Sequence, residues 1–218
     1  MMGSYPQWLA TGLLGLVWST FAAAAPPPEA ASCAACHGAQ GQGMPAANYP
    51  RLAGLPAGYL AEQLQHFADG KRQNAIMAGM AKPLSPEAIQ TLAAYYASLP
   101  VPTEAAGSPP EAALLERGAW LAQYGDLAKG VPACFRCHAA EGVGVPQHFP
   151  PLTGQSAKYL ADQITAWQQG TRRGDPLGLM QTVATRMSAE DTQAVTAYLA
   201  AQKPKAAVVS QPGQGGGQ

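Results

Sequence analysis

Apolar positions along the chain recur every three to four residues and nowhere alternate strictly for long enough to make a strand. Leu60, Leu64 and Phe67 form one such stripe and Leu160, Ile164 and Trp167 another, predicting amphipathic helices that stop at Gly70 and Gly170. Ser85–Pro86–Glu87 combines a capping hydroxyl, a proline suited to a first helical turn and an early acid. The helix it opens carries Leu92, Tyr95, Tyr96 and Leu99; Ser188–Ala189–Glu190–Asp191 opens a counterpart with Val195, Tyr198 and Leu199. The pattern predicts an all-α protein.

These helices come in two matching sets. Tyr49–Pro50–Arg51–Leu52–Ala53–Gly54 falls, at an offset of 100, on Phe149–Pro150–Pro151–Leu152–Thr153–Gly154. At the same offset Tyr59–Leu60–Ala61–Glu62–Gln63 falls on Tyr159–Leu160–Ala161–Asp162–Gln163, and Arg72 on Arg172. The offset then becomes 103, placing Met77 on Met180, Ser85 on Ser188 and Tyr95 on Tyr198. A period this long marks tandem duplication of one fold and not a solenoid. It divides the chain into an N-terminal domain at 26–103, a linker at 104–110 whose proline-rich character starts near residue 100, and a C-terminal domain at 111–202. The tail at 203–218, ending in Gly and Gln, is expected to be disordered.

Ahead of the repeat, Leu9 to Ala25 is apolar or small and uncharged, ends in an alanine run and is followed by Pro26–Pro27–Pro28. That is the pattern of a signal peptide over residues 1–25, cleaved near Ala24 or Ala25, although no Lys or Arg precedes it. If retained, the segment would anchor the protein to a membrane. Either outcome exports the folded part, and a bacterial periplasm is the expected compartment. The 13 basic and 13 acidic residues cancel, and they nearly balance within each domain, so there is no basic stripe and no argument for nucleic acid.

The chemistry is concentrated in Cys33–Ala34–Ala35–Cys36–His37 and Cys134–Phe135–Arg136–Cys137–His138, which together use every cysteine in the chain. Cys-x-x-Cys-His is the attachment signature of a c-type haem. Cysteines one helical turn apart present two sulfurs to the two vinyl groups, and the adjacent histidine reaches iron. A structural zinc site needs four close ligands and a redox dithiol predicts no following histidine. Four cysteines in an oxidising compartment would normally imply disulfides, but here the haem thioethers would consume all four. The expectation is two covalently attached haem c groups, with His37 and His138 as iron ligands. Domains of roughly 80–90 residues have thin cores, which a buried porphyrin would complete.

The repeat also narrows the second axial ligand. His66 and His148 align with Ala166 and Asn48, so neither belongs to the shared plan; they read as a helix surface or core-edge residue and a loop residue. Met44 stands only seven residues after His37, Met80 aligns with Val183, and Met187 with Leu84. Only Met77 and Met180 align with each other, each eight residues before its capping serine. They either ligate iron through the thioether or pack against the ring. Arg72 and Arg172 read as partners of haem propionates or as solvated helix-end charges.

With these motifs in hand, each half resembles a class I cytochrome c, and the tandem pair resembles the dihaem cytochromes of the cytochrome c4 family. The resemblance rests on both Cys-x-x-Cys-His sites, the aromatic-Pro-x-Leu-[Ala/Thr]-Gly segment, the Tyr-Leu-x-x-Gln helix and the methionine loop before the capped last helix. It implies two cytochrome c-like domains, each wrapped around its haem, and His/Met ligation through His37 with Met77 and His138 with Met180. It further implies that the carbonyls of Pro50 and Pro150 accept a hydrogen bond from His37 and His138, orienting each ring. Two features depart from the family: a short segment before the first motif, and Met180–Gln181–Thr182 where Met-x-Gly is common.

Two function classes follow. The first is a non-enzymatic carrier, moving single electrons from a respiratory donor such as a bc1-type complex to a terminal oxidase. The second is the cytochrome subunit of a periplasmic dehydrogenase or, with weaker support, a dihaem peroxidase. A peroxidase needs an open iron position and acid/base groups beside it, and no recurrent distal histidine or carboxylate offers them.

Overall fold

The computed structural model describes residues 25–105, 110–145 and 148–205. Nearly all of the expected signal peptide, linker residues 106–109 and the tail beyond Lys205 lie outside the described residues. Among those described, the chain is helical, with isolated bridges and no sheet. The first half contains α1 (Ala30–His37), α2 (Ala57–Ala68), α3 (Ala75–Ala81) and α4 (Pro86–Ser98). The second contains α5 (Ala112–Tyr124), α6 (Cys134–Cys137), α7 (Ala157–Gln168), α8 (Leu179–Ala184) and α9 (Ala189–Ala201).

Local chemistry sets the helix ends. Ser85 Oγ accepts the Ala88 N–H and Ser188 Oγ the Asp191 N–H, each at 3.1 Å, satisfying donors that a helix start leaves unpaired. Gly70 and Gly170 terminate α2 and α7 at positive φ, as the sequence predicts. The apolar stripe of α2 then packs on α4, burying Leu60, Ile89, Leu92 and Tyr96. In the second half α7 and α5 both pack on α9, around Leu121, Leu160, Val195 and Leu199.

The halves differ ahead of their motifs. In the first, the helix holding Cys33 and Cys36 is α1 itself, fastened to α4 where the Tyr96 hydroxyl donates to Ala30 O at 3.3 Å. In the second, the motif occupies the single turn of α6, and the separate helix α5 precedes it. α5 stops at Tyr124, before the short 3-10 turn Leu127–Lys129. It lies very close to α9: a Cβ at Gly118 would stand 2.2 Å from Ala194 O.

A charge cluster locks this contact. Asp191 in the first turn of α9, its side chain only 5% exposed, receives Arg117 of α5 at 2.7 Å and Lys129. Burial alone would push this carboxyl up, but the hydrogen bonds and charges of Lys129 and Arg117 prevail and hold it down at about 2. A carboxylate with a depressed folded-state pKa contributes stability that is complete above its unfolded value and fades as the pH falls through the folded one. The C-terminal half should therefore lose stability between pH about 4 and about 2. Asp191→Asn should lower the melting temperature at neutral pH and flatten that acid slope in thermal scans; an unchanged slope would remove Asp191 from the acid response.

Candidate functional site

Each half holds a cavity beside its motif. The N-terminal one, about 580 Å³, is lined by Cys33, Cys36, His37, Pro50, Met77 and Met80. The C-terminal one, about 160 Å³, is lined by Cys134, Cys137, His138, Pro150, Met180 and Met187. All ten residues expected from sequence to hold or orient a cofactor thus sort into two sets of five, one per cavity, from elements far apart in the chain.

The histidines are oriented the same way in both. His37 Nδ1 donates to Pro50 O and His138 Nδ1 to Pro150 O, each at 2.8 Å. A carbonyl only accepts, so the proton sits on Nδ1 and the Nε2 lone pair remains available to a metal. Burial lowers the pKa of both imidazoles, outweighing the proline hydrogen bond that raises it, and so favours the neutral ring that can ligate iron. The aromatic residue before each proline packs beside the ring, Tyr49 at 6.2 Å from His37 and Phe149 at 5.9 Å from His138. Burial also pushes the Cys33 thiol up and the Cys134 thiol up to about 11.

The methionine loops differ in detail. Met77 and Met80 lie on α3 and both face the N-terminal cavity, Met80 being 36% exposed. Met180 of α8 and the buried Met187 both face the C-terminal cavity, whereas Met44 lines neither. The Met77 N–H is held by Asn74 Oδ1 at 2.9 Å and the Met180 N–H by Asp175 Oδ2 at 2.7 Å. Two thiols on one helical turn, an imidazole with Nδ1 engaged, a thioether and apolar walls suit a covalently bound haem iron. A four-ligand zinc site does not fit: among the described residues no group of three or more His, Cys, Asp or Glu is placed to hold a metal ion.

Between the cavities the halves meet across an approximate twofold. Arg72 stacks on Phe67 and donates to the Tyr159 hydroxyl at 2.7 Å and to Gln163 at 2.6 Å. Arg172 stacks on Trp167 and donates to Tyr59 and Gln63, both at 3.1 Å. The backbones pair here too, Gln73 N–H to Thr171 O at 2.8 Å and Arg173 N–H to Lys71 O at 2.7 Å. Burial would push the Tyr59 phenol up, yet the two guanidinium charges pull it below its ordinary value. Gln155 grips the Arg51 backbone with two further hydrogen bonds, at 3.0 and 2.8 Å.

The solvated-charge reading of Arg72 and Arg172 is thereby corrected: they are 6% and 7% exposed and form the centre of the interface. His66 is a core-edge residue, 8% exposed, and His148 sits in a turn with Nδ1 3.5 Å from Glu62. The overlooked signal was the joint recurrence of Tyr59, Gln63 and Arg72 as Tyr159, Gln163 and Arg172. Tyr and Gln one turn apart on a helix, repeated in both copies, mark a second helix face with its own partner.

Comparison with known proteins follows the same division. The family model described as cytochrome c matches residues 29–100 and again 125–203. The thiosulfate dehydrogenase electron acceptor of Thiomonas intermedia (strain K12) is 58% identical over 196 residues, 89% of this chain and 90% of that protein. Cytochrome c4 of Pseudomonas aeruginosa is 39% identical over 193 residues, 88% of this chain and 94% of that one. The structure of reduced recombinant cytochrome c4 from Pseudomonas stutzeri superposes with a TM-score of 0.72 at 36% identity, covering 80% of this chain and 95% of that one. Thiosulfate dehydrogenase (TsdBA) from Marichromatium purpuratum also gives a TM-score of 0.72, at 41% identity over 78% of this chain, which spans 36% of that longer one.

Arg172→Ala would leave the buried Tyr59 hydroxyl without this donor, at about 1–3 kcal/mol for a group left unsatisfied, while Gln63 Oε1 keeps the Arg72 guanidinium at 2.9 Å. We expect the halves to separate in denaturant titrations, one unfolding before the other. A single unchanged transition would mean that the guanidinium contributes nothing to coupling the two halves.

Proposed function

Because the chain belongs to the cytochrome c family, in the tandem form that carries two covalently bound haem c groups, we propose that it accepts single electrons from a periplasmic thiosulfate dehydrogenase and passes them to a terminal oxidase. It is an electron carrier and not itself the catalyst, like its relatives. The observation that carries the proposed donor is the 58% identity, along 89% of the chain, to a protein named as a thiosulfate dehydrogenase electron acceptor. A second such acceptor, from Stutzerimonas stutzeri, is 47% identical over 79% of the chain. Export is supported by the apolar leader from Leu9 to Ala25; among the described residues no helix is long and apolar enough to cross a membrane.

In this reading Cys33 and Cys36 bind one haem and Cys134 and Cys137 the other. His37 with Met77 and His138 with Met180 supply the axial ligands, and Pro50 and Pro150 fix the imidazoles. The haem supplies reversible one-electron exchange at iron, and a neutral thioether ligand favours the ferrous state. The rest is the chain's work. Leu52, Leu60 and Leu92 on one side and Leu152, Leu160 and Val195 on the other keep water from the cavities. Arg72 and Arg172 are buried and line the cavities, and among the described residues neither has a carboxylate in salt-bridge range, so they suit the anionic propionate edges. Burial pushes Arg51 down to about 10, which leaves it charged at neutral pH.

The cytochrome c4 relatives favour a second reading, in which the donor is a respiratory complex of the bc1 type. Stopped-flow mixing separates the two. Oxidised protein with thiosulfate and its dehydrogenase should be reduced at both haems within seconds, and reduction only by a quinol-fed bc1-type complex would favour the second reading instead.

The ligand assignment has its own test. Met77→Ala and Met180→Ala should each abolish the methionine-to-iron charge-transfer band of one haem and lower its potential. Met80→Ala should leave both bands in place and, being partly exposed, cost less than the roughly 2–5 kcal/mol of a fully buried methionine. A band lost with Met80 and kept without Met77 would reverse the assignment in the first half.

A further inference from the structure

We propose that Asp175 is the positioning residue of the C-terminal haem, fixing the Met180 loop with a carboxylate whose charge lowers that haem's reduction potential. The role rests on Met180 being the axial ligand, as read above.

The two halves hold their methionine loops with different chemistry, and the structure gives the reason. In the first half Asn74 caps α3 and accepts the Met77 N–H through a neutral amide oxygen. At the offset of 100 that still holds at Arg72 and Arg172, Asn74 falls on Gly174, at φ 99, where a Cβ would stand 2.6 Å from His66 Cε1. His66 has only Ala166 as its counterpart, so this obstruction exists in one direction across the interface. A side chain at position 174 would take a strained φ and meet the His66 ring of the other half, so glycine suits the position.

The second copy also changes register here, from an offset of 100 to one of 103. The extra residues fall in the turn Pro176–Gly178, where Leu177 takes a left-handed φ of 57. Asp175, immediately after the obstructed glycine, spans that turn. Its Oδ2 accepts the Met180 N–H at 2.7 Å and the Gln181 N–H at 3.2 Å. One carboxylate oxygen therefore does for α8 what the Asn74 amide does for α3, and it fixes the backbone of the residue that carries the thioether. Strain at Leu177 is tolerated because the loop is fastened at this point.

The exchange of amide for carboxylate has an electrostatic consequence. Among the described residues no Lys or Arg lies in salt-bridge range of Asp175, so its charge is not cancelled locally. Ferric iron carries one more positive charge than ferrous iron, and a nearby anion favours the ferric form. The N-terminal haem has no such charge at its methionine loop. Asp175 thus sets the two potentials apart without touching iron.

Spectroelectrochemical titration of the full-length dihaem protein tests this. Asp175→Asn should keep both methionine-to-iron bands and raise the ferrous-to-ferric ratio of one haem at fixed potential by about tenfold, equivalent to about 59 mV for one electron. The haem that shifts should be the one whose band Met180→Ala abolishes. Asn74→Asp should shift the other haem in the opposite direction. Unchanged midpoints in Asp175→Asn, or a shift of the N-terminal haem instead, would overturn the proposal. Two intact bands in Met180→Ala would overturn the ligand reading beneath it. Neither measurement involves the electron donor, so the proposed partner can fail independently.

Discussion

In each half the histidine Nδ1–H donates to a proline carbonyl 12 or 13 residues further along, and the remaining architecture is built outward from that bond. It joins the motif helix to the aromatic-proline loop, so the same loop that orients the imidazole is held at a defined height above the cavity. The loop then continues directly into the domain interface. Asn48, two residues before Pro50, donates to Asp162 at 2.7 Å, and Arg51, one residue after it, is gripped by Gln155. Orientation of the iron ligand and docking of the two halves are therefore carried by one short segment, and disturbing either strains the other.

The interface is polar at its centre, which makes it demanding. Two guanidiniums are removed from water within one patch, and burial of a charge is unfavourable unless its hydrogen bonds are satisfied. Tyr59, Gln63, Tyr159 and Gln163 meet their terminal nitrogens with neutral oxygens, leaving the buried Arg172 Nε without a partner among the described residues, while Phe67 and Trp167 cover the guanidinium faces at 4.6 and 4.7 Å. A purely apolar patch could slide; a lattice of fixed donors and acceptors with backbone pairing at Gln73 and Arg173 has one register. For a pair of redox centres that is the useful property, since exchange between them depends on a constant separation.

How much of this the sequence disclosed follows from how local each cause is. Helix class, the serine caps and the glycine stops were legible because each depends on residues within one or two turns. The cysteines and histidines were legible because attachment imposes a fixed spacing, and the pairing of Met77 with Met180 because duplication supplies an internal comparison. Of the two readings open for Arg72 and Arg172, the solvated helix-end charge failed, since burial between domains leaves no mark in the periodicity of either helix. The proposed role of Asp175 was hidden for the same reason: nothing near it in sequence reveals that His66, more than a hundred residues away, occupies the space a side chain at Gly174 would need.

Those non-local causes are also where the two copies part company. Duplication begins with two identical sites, and identical sites in equivalent surroundings have equal potentials and no preferred order of filling. The helical plan, the motif and the proline bond are common to both halves and contribute nothing to a difference. What differs is the separate helix α5, the tighter C-terminal cavity, the single histidine pressed against Gly174, and the carboxylate that replaces an amide at the methionine loop. Each lies on one side of a twofold interface that is otherwise well matched. A symmetric fold cannot distinguish its two centres by its common framework, so any distinction between them must arise where the copies differ, within one half as at α5 or across the interface as where His66 faces Gly174.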